Sequence, residues 1–309
     1  MSNWNKCDLM DINFTFTKKE EGRKLITQRD SYIDNLTQQD LNLRCDKRDA
    51  TLDDYLKLCE EAVLDFTEKE EAQLSLLLCE IDSELKRRGM VLPSIEQVNL
   101  VKTTGMEEND AYGYTRGKTI YINQKTFDND AFLEHLLVHE LFHIMTRNCQ
   151  DFKKAMYDII GFKVEDKFFS YPESRTLHFV SNPDVSNQVC HARFKVGRGY
   201  QNVVVMTDLS YMYGQGNFHK RFRPFFLPID ENLEFVRDES GELAFINPTG
   251  GYDEYHEHIG RNTSYTTNPE EALAENFVIA VLGTLNDLPN PEIIDSIRKT
   301  MKTHSQPLS

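Results

Sequence analysis

The chain has 309 residues, of which 39% are hydrophobic and 28% charged, so it is apolar enough to bury a core and too apolar to be disordered. Its 35 Lys and Arg against 50 Asp and Glu give a formal net charge of -15. A surface of this sign repels phosphate backbones and anionic lipids, so we expect no nucleic-acid partner and no membrane partner.

The N-terminus shows no basic start followed by a long apolar run, and no stretch approaches the roughly 20 apolar residues that a membrane helix needs. The sequence therefore predicts a soluble protein that is cytoplasmic, or delivered elsewhere without a classical signal peptide. Its 6 cysteines are scattered and form no C-x-x-C pair, which argues against a thiolate metal site and favours reduced thiols.

The first predicted elements are helices. Residues 1–50 are polar and mixed, with only short helical hints between Leu25 and Asn42. From Thr51 to Arg88 apolar residues recur at helical spacing, and Gly89 supplies a stop. This pattern predicts two antiparallel helices with a buried leucine stripe.

Strands follow at Val98–Lys102, Ala111–Tyr114 and Thr119–Asn123, and the last two are predicted to form a hairpin. Thr119–Asn123 directly precedes the next helix, as does the edge strand that holds an extended substrate in zinc peptidases. An exposed edge can bind a peptide backbone by strand addition, although an ordinary sheet strand fits this sequence equally well.

A buried helix is predicted from about Asp130 to Arg147, capped by Asp128 or Asn129, because its residues are apolar nearly all round. Beyond it, residues 176–246 are rich in β-branched and aromatic residues and favour short strands and loops. Further helices are predicted at Phe152–Ile160, Pro269–Leu282 and Ile293–Met301.

The buried helix carries the motif His139-Glu140-Leu141-Phe142-His143. Imidazoles at positions i and i+4 project from one helical face and can hold one zinc ion. Glu140 lies about 100° round the helix from His139, beside a metal-bound water rather than on the metal, which suits a general base. The alternative is two core histidines and a capped acid, but so apolar a helix has little reason to bury these side chains without a cation. His135, one turn earlier, is expected to pack or to support a ligand.

A catalytic zinc needs a third protein ligand and an open position. The helix after Asn268 and Pro269 places Glu271 and Glu275 on one face, so Glu271 is the predicted ligand and Glu275 the acid that orients a histidine. Capping is the alternative for this helix, since Asn268 and Glu271 also fit a capping box. Glu270 is expected only to favour the helix N-terminus, so that its replacement by Gln should do little.

An HExxH helix followed by a later helix with the pattern E-x-x-A-D/E resembles the gluzincin class of zinc metallopeptidases. The resemblance implies a zincin-like core in which Glu271 is the third ligand and Glu275, in place of the commoner Asp, supports a histidine. The strings His139–Asn148, Ser181–Asp184 and Ile259–Glu271 also resemble uncharacterised bacterial proteins with the same motif. The likeness covers about residues 110–280 and supplies no substrate.

Hydrolysis also needs a donor to the oxyanion of the tetrahedral intermediate. The segment before the Glu271 helix is rich in side chains that can donate. We predict Tyr265 for this role, with His256 and His258 behind it. The candidates that were compared are Tyr252, Tyr255, His256, His258, Arg261 and Tyr265.

Together these features predict an α+β fold with a polar segment at 1–50 and a zinc metallopeptidase domain at 51–309. Within the domain we expect an HExxH lobe at about 51–165, a β-rich insertion at about 166–250 and a helical lobe at about 251–309. The predicted activity is that of an endopeptidase with one Zn²⁺ per chain and a protein or peptide substrate. The alternatives are a metal-stabilised binding or regulatory protein without turnover and a zinc hydrolase of a non-peptide amide or ester; the oligomeric state is left open.

Overall fold

The computed structural model describes residues 12–174, 179–208, 223–246, 252–283 and 285–303. Its first half consists of helices around a small sheet. In chain order the elements are β1 (Asn13–Phe16), α1 (Lys19–Thr27), α2 (Ser31–Asp34), α3 (Gln38–Arg44), α4 (Leu52–Ala62), β2 (Val63–Leu64), α5 (Glu68–Arg88), β3 (Gln97–Thr103), β4 (Gly113–Arg116), β5 (Thr119–Asn123), α6 (Asp130–Asn148) and α7 (Gln150–Ile159).

The second half adds an antiparallel sheet followed by helices. These elements are β6 (Lys163–Phe168), β7 (Gln188–Val196), β8 (Gly199–Asp208), β9 (Arg223–Ile229), α8 (Tyr252–Ile259), α9 (Pro269–Leu282) and α10 (Pro291–Thr303). The sheet has the order β6-β7-β8-β9, and β7, β8 and β9 lie in the region predicted to form short strands and loops. The structure combines helices with two small sheets, which confirms the predicted α+β class. Residues 175–178, 209–222 and 247–250 of the predicted β-rich insertion lie outside the described residues.

The two helices predicted between Thr51 and Arg88 are present as α4 and α5. Their buried residues belong to different clusters, however, with Tyr55 and Cys59 in one and Leu74 and Leu77 in the other. Each begins with a capping box, formed by Thr51 with Asp54 and by Thr67 with Glu70. Gly89 ends α5 in the left-handed conformation with φ 65°, where a residue without Cβ meets no steric penalty. Sequence periodicity predicts the helices of this region because each has local start and stop signals.

The first sheet has the order β1-β3-β5-β4, with β2 also paired to β3. β1 and β5 run parallel to β3, and β4 pairs with β5 as the predicted antiparallel hairpin. Of the two alternatives left open for Thr119–Asn123, the structure shows the ordinary sheet strand, since β5 is paired on both sides and buried along its length. Among the described residues, β4 lies at one edge of the sheet and pairs with β5.

Residues 13–16, near the start of the described chain, also contribute to this sheet, although their sequence shows little periodicity. β1 pairs with β3 from Asn13 to Phe16, and Ile26 and Ile33 are buried against α4 and the sheet. Ile26 is the buried side chain of α1 and Ile33 that of α2, so neither helix shows a long apolar stripe. α3 carries buried polar residues instead, among them Asp40 and Arg44.

α6 is the central helix of the larger core, and it is buried from Leu136 to Thr146. Its N-cap is Asn129, whose side chain accepts from the amide of Phe132. α6 packs against α5, α7, β4 and, most extensively, α9. Two helices that are far apart in sequence therefore lie side by side, and both carry predicted site residues.

Two further expectations can be compared with the structure. In the part of the chain that is described, no helix combines the length and apolarity that crossing a bilayer requires. Cys79 is disulfide-bonded, contrary to the expected reduced state, whereas Cys45, Cys59, Cys149 and Cys190 are free. Spacing along the sequence does not reveal which cysteines approach each other in the fold.

Candidate metal centre

Five side chains from α6 and α9 meet in the core of the protein. His139, Glu140 and His143 come from α6, and Glu271 and Glu275 come from the first two turns of α9. His143 is fully buried, Glu140 and Glu271 are 2% exposed, and His139 is 7% exposed. α9 can present Glu271 at its very start because Asn268 caps the helix and Pro269 fits its first turn.

Three donor atoms converge on one position between the helices. His139 Nε2 lies 3.1 Å from Glu271 Oε2, and His143 Nε2 lies 3.6 Å from the same oxygen. The three residues offer ligand atoms that all lie within 4.8 Å of one another. Two imidazoles and one carboxylate form the donor set of a catalytic zinc site, with a fourth position left for water or substrate. The residues present therefore fit a zinc ion.

Two buried polar atoms beside this position have no hydrogen-bond partner within the residues that the structure describes. They are His143 Nε2 and Glu140 Oε2. A buried polar group without a partner is costly, by about 1–3 kcal/mol for a neutral group and more for a charged one. A cation on the imidazole nitrogen and a water on the carboxylate oxygen would satisfy both atoms.

The other ring nitrogen of each histidine is held by a carboxylate. His139 Nδ1 lies 2.9 Å from Glu275 Oε1, which also lies 3.0 Å from His135 Nε2. His143 Nδ1 lies 3.4 Å from Glu270 Oε1. A carboxylate on Nδ1 fixes the tautomer in which Nε2 is free to bind a metal. Both imidazoles are therefore oriented with Nε2 toward Glu271.

The role of Glu270 corrects the sequence interpretation. Instead of standing at an exposed helix end, its side chain is 1% exposed and accepts hydrogen bonds from Tyr157 OH at 2.6 Å and from Thr146 Oγ1, as well as facing His143. The sequence gave no sign of this contact, because it depends on how α7 and α9 pack on the last turns of α6. Glu270 thus supports His143 as Glu275 supports His139.

The electrostatics of the cluster favour a bound cation. Burial acts to raise the pKa of Glu271, but the charges of His143 and His139 outweigh it and lower the pKa well below its usual range. In the same way, the pKa of Glu275 falls to about 2 despite burial because of His135 and His139. Both carboxylates are ionised at neutral pH, so the site carries negative charge that protonated imidazoles or a metal ion must balance.

The pKa of Glu140 is shifted in the opposite direction. Burial, and then the charge of Asp184, raise the pKa of Glu140 to about 8. Asp184 is held beside it by the amide and hydroxyl of Thr115, at 2.6 and 2.8 Å. Sequence reasoning named Asp184 only as part of a string in the bacterial resemblance, and its approach to Glu140 and His143 is a long-range contact. A carboxylate with a pKa near neutrality is suited to accept and return a proton.

Tyr265 is brought to the site. Its ring stacks on that of His139 with centroids 6.1 Å apart and an angle of 18° between the planes. Although 43% of the residue is exposed, burial of the hydroxyl and the nearby charges of Glu271 and Asp184 raise its pKa well above the usual value. The phenol therefore stays protonated and can donate a hydrogen bond.

The other donor candidates lie elsewhere. His258 Nδ1 faces the Ile160 carbonyl at 3.2 Å, and His256 Nδ1 faces the Gly260 carbonyl at 3.3 Å. Arg261 pairs with Asp253 on α8, and neither histidine joins a metal-binding group among the described residues. These side chains organise α8 and the turn after it rather than the cluster on α6 and α9.

No family model, curated protein or solved structure matches this chain. The resemblance to gluzincins therefore stays a prediction that rests on the motifs.

Proposed function

We propose that this protein is a zinc-dependent hydrolase that cleaves peptide bonds, with one zinc ion held by His139, His143 and Glu271 in a zincin-like core. The observation that carries the proposal is a pair of buried atoms, Glu140 Oε2 and His143 Nε2, that have no hydrogen-bond partner among the described residues. His143 Nε2 lies 3.6 Å from the carboxylate of Glu271. A purely structural zinc site fills its fourth position with a protein ligand and has no use for a buried free carboxylate beside it.

When bound, zinc supplies Lewis acidity at a carbonyl oxygen and lowers the pKa of a water. Glu140 would accept a proton from the attacking water and later deliver it to the leaving amine. Tyr265 donates to the oxygen on which negative charge develops. Glu270 and Glu275 hold the two imidazoles in place during these steps.

A peptide is favoured as the substrate by the edge strand β4, which flanks Glu140. Tyr112 O accepts from Asn123 N, whereas Thr115 N donates to Asp184 on the other side. In an antiparallel pair, successive residues turn their backbone amide and carbonyl alternately toward the partner strand and away from it. Gly113 and Thr115 therefore both turn these groups away from β5. Gly113 also lies against the base, because a Cβ there would be 3.1 Å from Glu140 Oε1. An extended peptide bound to this edge would pass the catalytic carboxylate.

The test is Glu140→Gln. This change keeps the size of the side chain but removes its ability to accept a proton, so the variant should bind about one zinc per chain while turnover falls by about 10² to 10⁴. The measurements are zinc content after gentle purification and a proteome-wide search for new N-termini after incubation with each protein. Glu257→Gln, an exposed change on α8, is the matched control and should cleave as wild type does.

Each outcome has a clear meaning. Cleavage by wild type that a chelator abolishes and that Glu140→Gln lacks supports the proposal. A zinc-loaded wild type that cleaves no protein, peptide or simple amide would instead favour a metal-stabilised binding protein. Cleavage of simple esters or amides but not of peptides would assign the hydrolase to a non-peptide substrate, and equal cleavage by Glu140→Gln would remove Glu140 from the role of base.

A further inference from the structure

Helix α3 meets the loop 181–184 in a contact that uses every hydrogen-bonding group of Ser181. Ser181 N donates to Asp40 Oδ1 at 2.9 Å, and Ser181 Oγ donates to Asp40 Oδ2 at 2.8 Å. The Ser181 carbonyl accepts from Arg44 Nη2 at 2.7 Å. All three residues are at most 5% exposed. Two side chains one turn apart on α3 therefore fix the position of a residue 141 positions later in the chain.

The pair on α3 is itself held by a buried network. Arg44 Nη1 lies 3.0 Å from Asp40 Oδ1, and Arg44 Nε donates to Glu108 Oε2 at 2.8 Å. The other oxygen of Glu108 accepts from Tyr32 OH and Tyr55 OH, at 2.7 and 2.6 Å. Buried charges that lose their partners are strongly destabilising, so the hydrogen bonds of this network favour a single arrangement of its side chains. Ser181 is anchored to a rigid support.

The residue after Ser181 reaches the metal centre. Asn182 Nδ2 donates to Glu271 Oε1, and Asn182 Oδ1 accepts from the amide of Asp184 at 2.9 Å. Because Asn182 binds Oε1, the other oxygen of Glu271 is the one that faces His139 Nε2 and His143 Nε2. The two oxygens of Glu271 therefore have separate partners, Asn182 on one side and the two imidazoles on the other.

We propose that Asp40 and Arg44 are positioning residues of the metal centre: through Ser181 they place the Asn182 amide, and Asn182 orients Glu271 toward the metal. The proposal rests on the proposed function only in that Glu271 ligates zinc. It makes the polar N-terminal segment part of the zinc site, although α3 contributes no ligand. Partners outside the ligand shell typically change metal affinity by about 10- to 100-fold.

The experiment measures the zinc dissociation constant of the full chain by competition with a chromophoric chelator, at a temperature where circular dichroism shows every variant folded. Asn182→Ala should weaken binding by about 10- to 100-fold, and Ser181→Ala and Arg44→Lys by about 3- to 30-fold. Ser181→Ala removes one hydroxyl, and Arg44→Lys keeps the charge but loses the geometry of the guanidinium, so both should fold. Adding Ser181→Ala to Asn182→Ala should cost little more, since both act on one chain of contacts.

Tyr55→Phe is the matched control, because it removes a hydrogen bond from the same network without touching Ser181. It should lower the melting temperature and leave the zinc dissociation constant within about twofold of wild type. Unchanged affinity in Ser181→Ala and Arg44→Lys would overturn the proposal, and so would an equal loss in Tyr55→Phe, which would mark a general effect of stability. If wild type bound no zinc, the proposed function would fall as well. If zinc binding follows the expected order but no cleavage is found, the positioning role stands and the hydrolase does not.

Discussion

At Glu270 one buried carboxylate faces His143 Nδ1 and accepts from the hydroxyls of Tyr157 and Thr146. Glu270→Gln would place an amide donor among these donors, so zinc affinity should fall by about 10- to 100-fold and the free energy of unfolding by about 1–3 kcal/mol. Chelator competition measures the zinc affinity, and chemical denaturation measures the free energy of unfolding.

Glu275→Gln should weaken zinc binding by a similar factor through His139, which chelator competition also measures.

The control for Glu270 is Glu68→Gln, which makes the same change at the exposed start of α5. There the acid interacts only with the helix dipole, and its loss should cost a few tenths of a kcal/mol at most and leave zinc affinity unchanged. If Glu270→Gln behaved like Glu68→Gln, the simple capping interpretation of Glu270 would be restored.

The residues that sequence reasoning placed correctly beside one another share a local signal. His139, Glu140 and His143 follow from spacing within one helix, and Glu271 with Glu275 from an N-cap and an i, i+4 pair. Glu270, Asn182 and Asp184 have no such signal. Their partners come from other elements, so only the packed structure brings them to the centre.

On the scale of elements, β4 lies close against Glu140, the proposed base on α6. A Cβ on Gly113 would lie 3.0 Å from Leu136 Cδ1 and 3.1 Å from Glu140 Oε1, so these side chains would have to shift by a few tenths of an ångström. Gly113→Ala should lower turnover by about 10-fold or more, because small misplacements of a catalytic group are costly. Zinc content should be unchanged, since Glu140 is not a ligand in the proposed site.

Gly199→Ala provides the comparison, because Gly199 starts β8 and a Cβ there meets no atom within 4 Å. Its turnover should equal that of wild type on whichever substrate the search for new N-termini identifies. A Gly113→Ala protein with full turnover would show that the edge of β4 does not constrain the base.

The order of the strands in the first sheet is the hardest feature to predict from the sequence. The hairpin of β4 and β5 follows from its sequence, but which of the two strands lies inside the sheet does not. That depends on β3, which pairs with β5 from Asn99 to Thr103 and so leaves β4 at the edge. Parallel pairing of this kind joins segments that are not neighbours in the chain, and a local pattern carries no record of it.

For the whole molecule, the charge balance of the site predicts how stability depends on pH. Burial lowers the pKa of His139, but its bonds to Glu271 and Glu275 outweigh this and raise it from 6.5 to about 9. The stabilisation is therefore complete below about pH 6.5 and is lost as the pH rises through 9. Glu140, with its pKa raised from 4.5 to about 8, acts in the same direction, because only the unfolded chain releases its proton between these values.

The metal-free protein should accordingly lose thermal stability between about pH 6.5 and 9, whereas the increase in melting temperature on adding zinc should grow over the same range, since zinc binds the deprotonated imidazoles. Differential scanning fluorimetry with a chelator and with excess zinc measures both trends. The variant His139→Gln distinguishes the contribution of the site from that of the other charged groups. Its melting temperature should fall less steeply with pH and should not increase when zinc is added. A metal-free wild type whose melting temperature stays level or rises over this range would contradict the prediction.

The separation of 132 positions between His139 and Glu271 has a consequence for the protein during its synthesis. A nascent chain on the ribosome can form α6 and the sheet beneath it long before α9 has been translated. At that stage it holds the two imidazoles and the carboxylate of Glu140, but it lacks Glu271 and the carboxylates of α9 that orient each ring. If the proposed function holds, an unfinished polypeptide of this kind would be inert toward the newly made proteins around it until α9 had been translated.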